Sequence, residues 1–160
     1  MFSVVLLASA FAAASPSANG SVIAVLPPDR SGYWQFEKDT VKPPEYPLHA
    51  LRSHISGCAA VAFVIEANGT VSSAWPVVET AHSGFGKVAS ESVSRWRFKP
   101  GPENLARKPV YTYDIVGFFL TDPDSTTTQR DQLSEQVKSA CELKGLPVKE
   151  SAVQPLPATQ

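Results

Sequence analysis

Three histidines, two cysteines and a few nearby carboxylates are the side chains from which this chain could build chemistry. His49 and His54 stand five apart in a short predicted helix. That spacing turns them to different sides, and no zinc-like set of ligands accompanies them. Glu79 and His82 lie close enough in sequence to suggest an acid–base pair. No third group completes it, and Ser83-Gly84 lacks the strand, Gly-x-Ser-x-Gly and helix context of an activated serine. Glycine-rich loops that could cradle a phosphate are missing as well. Arg95, Arg97 and Lys99 follow a helical stretch, where cations offset the negative end of the helix dipole, so they read as structural. With 14 basic against 15 acidic residues the formal net charge is -1, which gives no field to draw nucleic acid. The expectation is a protein without catalytic residues, metal, cofactor or small-molecule substrate. An enzyme built on His82 and Glu79 is the weakest alternative.

The meaning of the even pair Cys58 and Cys141 depends on compartment. Residues 1–14 read as a cleavable export signal. Residues 2–11 are an apolar run, Ala12-Ala13-Ala14 supplies small residues for the peptidase, and Ser15-Pro16-Ser17 follows. No Lys or Arg precedes the run. It is also shorter than the ~20 residues that a spanning helix requires. Export with cleavage near Ala14 would place both cysteines under oxidising conditions, where a Cys58–Cys141 disulfide is expected. Two separate buried thiols are the alternative. An uncleaved signal, or a start upstream of Met1, would leave the protein anchored in the inner membrane.

The elements that must position these residues follow from periodicity. Residues 15–42 form a lead-in with two short strand-like stretches, at 22–26 and 33–36, expected on the domain surface or partly loose. Pro43-Pro44 closes it, and Pro47 suits the first turn of a helix over residues 48–53. Residues 58–65 are apolar at every position, Asn68-Gly69 offers a tight turn, and residues 70–78 return antiparallel. Phe85, Val88, Ala89, Ser92, Val93 and Trp96 then share one helical face, ended by Phe98-Lys99-Pro100-Gly101-Pro102. A last strand spans residues 109–120. The predicted class is α+β: a small three-stranded antiparallel sheet with a helix packed on one face. Residues 121–145 are read as a linker and C-terminal helix, and residues 146–160 as a flexible tail.

The first strand raises a packing problem. Val61, Phe63 and Ile65 can face the helix, but Cys58, Ala60, Ala62 and Val64 on the other side are apolar too. A sheet with one wet face would carry polar residues there. The C-terminal helix is therefore expected to cover this second face through Leu133, Val137 and Ala140, stapled by Cys58–Cys141.

Residues 43–120 carry a further set of landmarks: Tyr46-Pro47 with Ala50, Gly57, Phe63-Val64-Ile65, Asn68-Gly69-Thr70-Val71, and Trp96-Arg97-Phe98 with Pro100. At this spacing they make the segment resemble the TonB C-terminal domain family. On that resemblance Tyr46, Pro47, Gly57, Gly69, Trp96, Phe98 and Pro100 are fold determinants. The family implies a periplasmic protein-binding module associated with TonB-dependent transport across the outer membrane. A partner such as an outer-membrane TonB-dependent receptor would add an extended segment to the sheet edge. The implied docking residues are Val110, Tyr111, Thr112, Tyr113, Asp114, Ile115 and Val116. A full-length transducer also has an inner-membrane anchor and a proline-rich spacer. Neither is read here, so the expectation is a standalone exported form that binds without pulling. The alternative is a structural envelope protein that forms a homodimer and has no transport role.

Overall fold

Why the chain turns back on itself at residues 66–70 is visible in single atoms. Gly69 takes φ +81°, a conformation that favours glycine, and its amide donates to the Glu66 carbonyl at 2.8 Å. The Glu66 amide donates to the Thr70 carbonyl at 2.8 Å, while the Asn68 side chain accepts from the Thr70 amide at 3.0 Å. This turn joins two nine-residue strands, and the apolar first one becomes the centre of the sheet.

The computed structural model describes residues 22–80 and 84–148. The signal reading at residues 1–14, His82 and Ser83, and the last part of the tail lie outside them. In chain order the strands are β1 (Ile23–Ala24), β2 (Trp34–Phe36), β3 (Gly57–Ile65), β4 (Val71–Glu79), β5 (Phe98–Pro100) and β6 (Val110–Phe118). The α-helices are α1 (Arg30–Tyr33), α2 (Leu48–Arg52), α3 (Phe85–Val93) and α4 (Thr127–Ser139). The main sheet has the order β1-β6-β3-β4, and β2 and β5 form a second, two-stranded sheet.

The fold is α+β, with a difference of one strand. The antiparallel trio β4-β3-β6 stands where the sequence places it, and β1 adds a fourth member parallel to the start of β6, Ile23 opposite Val110 and Ala24 opposite Tyr111. The lead-in is also better anchored than expected. Val25 lies in the core, and Trp34 is only 1% exposed, its indole N–H donating to the Lys108 carbonyl at 3.1 Å. The reason is β5. Phe98-Lys99-Pro100 does end the preceding helix, but it then pairs antiparallel with Trp34-Gln35-Phe36. Proline is tolerated because a two-stranded sheet consists only of edges.

The two faces of the main sheet are covered differently. Toward α3, Ala59, Val61, Phe63 and Ile65 pack with Phe85, Ala89, Val93, Trp96 and Phe98 in one buried cluster. Toward α4, a smaller cluster holds Cys58, Ala60 and Cys141, with Ile115, Val137 and Leu143 against it. Cys58 and Cys141 form a disulfide, their Cα atoms 6.0 Å apart. α4 does lie over this second face, but no residue of it is buried. Leu133 is half-buried and Ala140 is exposed, so the contact runs through Val137 and through Cys141 and Leu143 beyond the helix end. The helix keeps its form by a capping box, in which Thr126 accepts from the Gln129 amide and the Gln129 side chain accepts from the Thr126 amide.

Candidate functional site

β6 has two sides. Its inner side pairs with β3 along the whole strand, from Val110 opposite Ile65 to Phe118 opposite Gly57. On the outer side the Ile23 amide donates to the Pro109 carbonyl at 3.0 Å and the Val25 amide to the Tyr111 carbonyl at 2.9 Å. Odd-numbered residues therefore turn their backbone groups outward, and the alternation continues to Tyr113, Ile115 and Gly117. Among the described residues no strand pairs with that outer side beyond Tyr111. Side chains fill part of the gap. One Arg30 guanidinium nitrogen donates to the Asp114 carboxylate at 2.7 Å and reaches the Tyr113 carbonyl at 3.5 Å. The other Asp114 oxygen accepts from the Ile115 amide at 2.8 Å. Arg30 also lies over the Phe98 ring, 5.7 Å from its centroid.

Beside this open half of β6 runs a groove of about 360 Å³. Tyr113, Asp114 and Ile115 form its floor, Pro27 and Pro28 one rim, and Glu135, Lys138, Ser139 and Glu142 the other. The second rim is held in place by the disulfide that ties the end of α4 to β3. Of the seven docking residues implied by the resemblance, Tyr111 is thus occupied by the lead-in, and Val110 lies opposite Ile23 with its backbone groups turned to β3. Thr112, Asp114 and Val116 turn their backbone groups to β3. Tyr113 and Ile115 face the open side, and Gly117, outside the set, joins them. Only the strand pairing reveals this division.

The opposite edge of the sheet, β4, is built against pairing. Pro76 sits in it opposite Val61 and has no N–H to offer. The β3–β4 register shifts twice, and Ser73 takes φ 51°. Proline and irregular backbone are ordinary means of keeping an edge from recruiting another strand.

The motif residues converge on packing. Tyr46 donates its hydroxyl to the Ile55 carbonyl at 2.7 Å and meets Phe85 and Phe118 edge-on at 5.7 and 5.8 Å. Burial pushes its hydroxyl above the ordinary tyrosine pKa, partly offset by a hydrogen bond with Ser56. Pro47 caps α2. A Cβ on Gly57 would meet Thr80 Oγ1 at 2.1 Å and Phe85 at 2.6 Å, so only glycine fits there. Trp96, just beyond α3, packs edge-on against Phe36 and Phe63 at 4.8 and 6.0 Å, and Pro100 pairs with Trp34.

No catalytic constellation assembles among the described residues. Glu79, one half of the acid–base pair considered above, accepts from the Gly86 amide at 2.6 Å, a carboxylate at the positive end of α3. His49 and His54 are both exposed, and the described residues hold no cluster of three or more His, Cys, Asp or Glu suited to a metal. The basic run is structural where it can be followed, since Arg97 donates to the Arg95 and Trp96 carbonyls at 3.2 and 2.8 Å, beyond the end of α3.

Residues 42–116 match the family described as Gram-negative bacterial TonB protein C-terminal. Over this segment the chain is similar to TonB C-terminal domains. The match runs from just before the Tyr46-Pro47 landmark to most of β6, so the domain comprises the α2-β3-β4-α3-β5-β6 unit. β1, β2 and α4 lie outside it. A solution NMR structure of the Pseudomonas aeruginosa TonB C-terminal domain is similar at 18% identity and a TM-score of 0.47, over 61% of this chain and 95% of that one. No curated protein sequence matches the chain. No helix of the described residues is long and apolar enough to cross a membrane.

Proposed function

We propose that this TonB C-terminal domain is a periplasmic protein-recognition module of TonB-dependent transport. It captures an extended segment of an outer-membrane receptor on the outer side of β6. The observation that carries the reading is that, among the described residues, no strand pairs with the outer side of β6 beyond Tyr111, where a groove floored by Tyr113, Asp114 and Ile115 runs beside it. Added strands gain affinity from main-chain hydrogen bonds and specificity from the walls beside them. The guarded β4 edge offers no comparable site. A disulfide suits an oxidising compartment, in keeping with a periplasmic location and with residues 1–14 as an export signal.

Gly117→Pro tests the docking edge. It removes an outward N–H while leaving the β3 ladder intact, and a Cβ there meets Lys138 only at an ordinary 3.5 Å. The variant should fold and lose capture of a synthetic peptide copied from the periplasmic N-terminal segment of an outer-membrane receptor. Undiminished capture would remove β6 as the docking strand. N-terminal sequencing of the chain recovered from a periplasmic fraction tests location, and a start near Ser15 is expected.

A further inference from the structure

The docking edge of β6 is occupied at one end by the chain's own residues. β1 is only two residues long, and it and the next residue contribute the Ile23 and Val25 amides to the outer side of β6. Its neighbours Val22 and Leu26 are 52% and 44% exposed. Just after it, Arg30 closes on Asp114, and this clasp covers the Tyr113 carbonyl while Asp114 holds the Ile115 amide. These are the groups that an incoming strand would need. Within the segment Val25 is the one buried side chain, at 6% exposure, and the firmer anchor lies beyond the clasp, where Trp34 is buried and β2 pairs with β5.

We infer that β1 and the Arg30–Asp114 clasp form an intramolecular plug on the docking edge, which a partner strand must displace. The inference rests on the reading of β6 as that edge. The plug stays tethered by β2, so it competes at the high effective concentration of a linked segment and reoccupies the edge when the partner leaves. Short elements with few buried contacts open locally, well below the cost of global unfolding. A partner therefore sees an affinity reduced by the fraction of molecules in which the plug is open.

The test uses the full chain and the receptor-derived peptide as probe. Ile23→Pro removes the donor to Pro109, and Arg30→Gln removes the clasp charge while leaving β1 untouched. Ile23→Pro should bind the peptide about tenfold more tightly than the wild type, as expected if about a tenth of wild-type molecules are open. Arg30→Gln should shift affinity in the same direction by less, and it carries the test if Ile23→Pro fails to fold. Equal affinity in the wild type and a folded variant overturns the plug and leaves the docking edge standing. No binding by any of them overturns the docking edge itself, and the plug with it. Amide exchange on the wild type gives a reading without the probe. Ile23 and Val25 should exchange well ahead of the β3 amides, and exchange only in step with β3 would make β1 a permanent strand.

Discussion

The two faces of the central sheet are each covered by a helix, and the two helices are held in different ways. On the α3 face, Phe63, Phe85, Trp96 and Phe98 interlock with β-branched residues, and α3 itself buries Phe85, Gly86, Ala89, Ser92 and Val93. On the α4 face, β3 presents Cys58, Ala60 and Ala62, too small to hold a helix by area alone, and α4 buries none of its own residues. Trp75 and Tyr111, from the strands on either side of β3, stack 5.7 Å apart on this face. What remains is a covalent bond at the end of α4. One face is held by packing, the other by a staple. Apolar burial is worth about 25 cal/mol per Å², so a helix without buried residues gains little by it and needs another anchor. The contrast matters for the proposed function because α4 is a wall of the groove beside β6, whereas α3 only supports the sheet beneath it.

The largest effect that would sharpen this contrast is loss of the disulfide. Cys58→Ala with Cys141→Ala should cost about 4 kcal/mol in the chain-entropy model. In native-state amide exchange α4 should lose protection first, while β3, β4 and α3 keep a shared, lower level. Simultaneous loss from both faces would erase the distinction. Trp96→Ala should cost about 3 kcal/mol by urea unfolding, the lower end for a large aromatic because Trp96 retains 9% exposure. Here protection should fall on every strand together, since the α3 cluster spans them. Thr126→Ala breaks the capping box and should weaken α4 locally by about 1 kcal/mol. That appears as several-fold faster exchange of α4 amides with β3 unchanged, and a global loss would mean that α4 is packed after all.

The smallest expected effect concerns Tyr46, on the α3 face. Its hydroxyl titrates above the ordinary tyrosine value when folded, so the unfolded chain ionises first. Its contribution is present below the unfolded tyrosine pKa and is lost as pH rises through the folded value. Tyr46→Phe should flatten that alkaline decline in unfolding curves, after allowance for the lost bond to Ile55. An unchanged slope would assign the decline to other groups.

Much of the domain could be read along the chain because its signals are local. The Asn68-Gly69 turn, the unbroken apolar run of β3 and the helical spacing from Phe85 to Val93 each need only neighbouring residues to be recognised. The landmarks around Tyr46, Gly57 and Trp96 locate the domain, and their structural roles follow from size and backbone freedom. β5 was hidden because Pro100 and Gly101 look like terminators, so the strand-like stretch at 33–36, which becomes β2, was left without a visible partner. The C-terminal helix face was misjudged at Ala140 because helical periodicity continues past the point where α4 ends, at Ser139.

The open side of β6, the proposed docking edge, marks the limit of that kind of reading. From the sequence alone, β6 is a strand with alternating aromatic and β-branched residues, and residues 58–65 supply its neighbour. Which of its two sides remains open was decided by contacts between distant parts of the chain. Ile23 pairs opposite Val110, and Arg30 reaches Asp114 across a separation of 84 residues. A two-residue strand carries no periodicity, and an ion pair carries no pattern at all. Both exist because the β2–β5 pairing and the burial of Trp34 bring the lead-in alongside β6. The sequence determined the strands, the turn and the helix through short-range geometry; the tertiary structure determined which hydrogen-bonding groups were left unpaired, because backbone pairing is settled only once every strand has taken its neighbours.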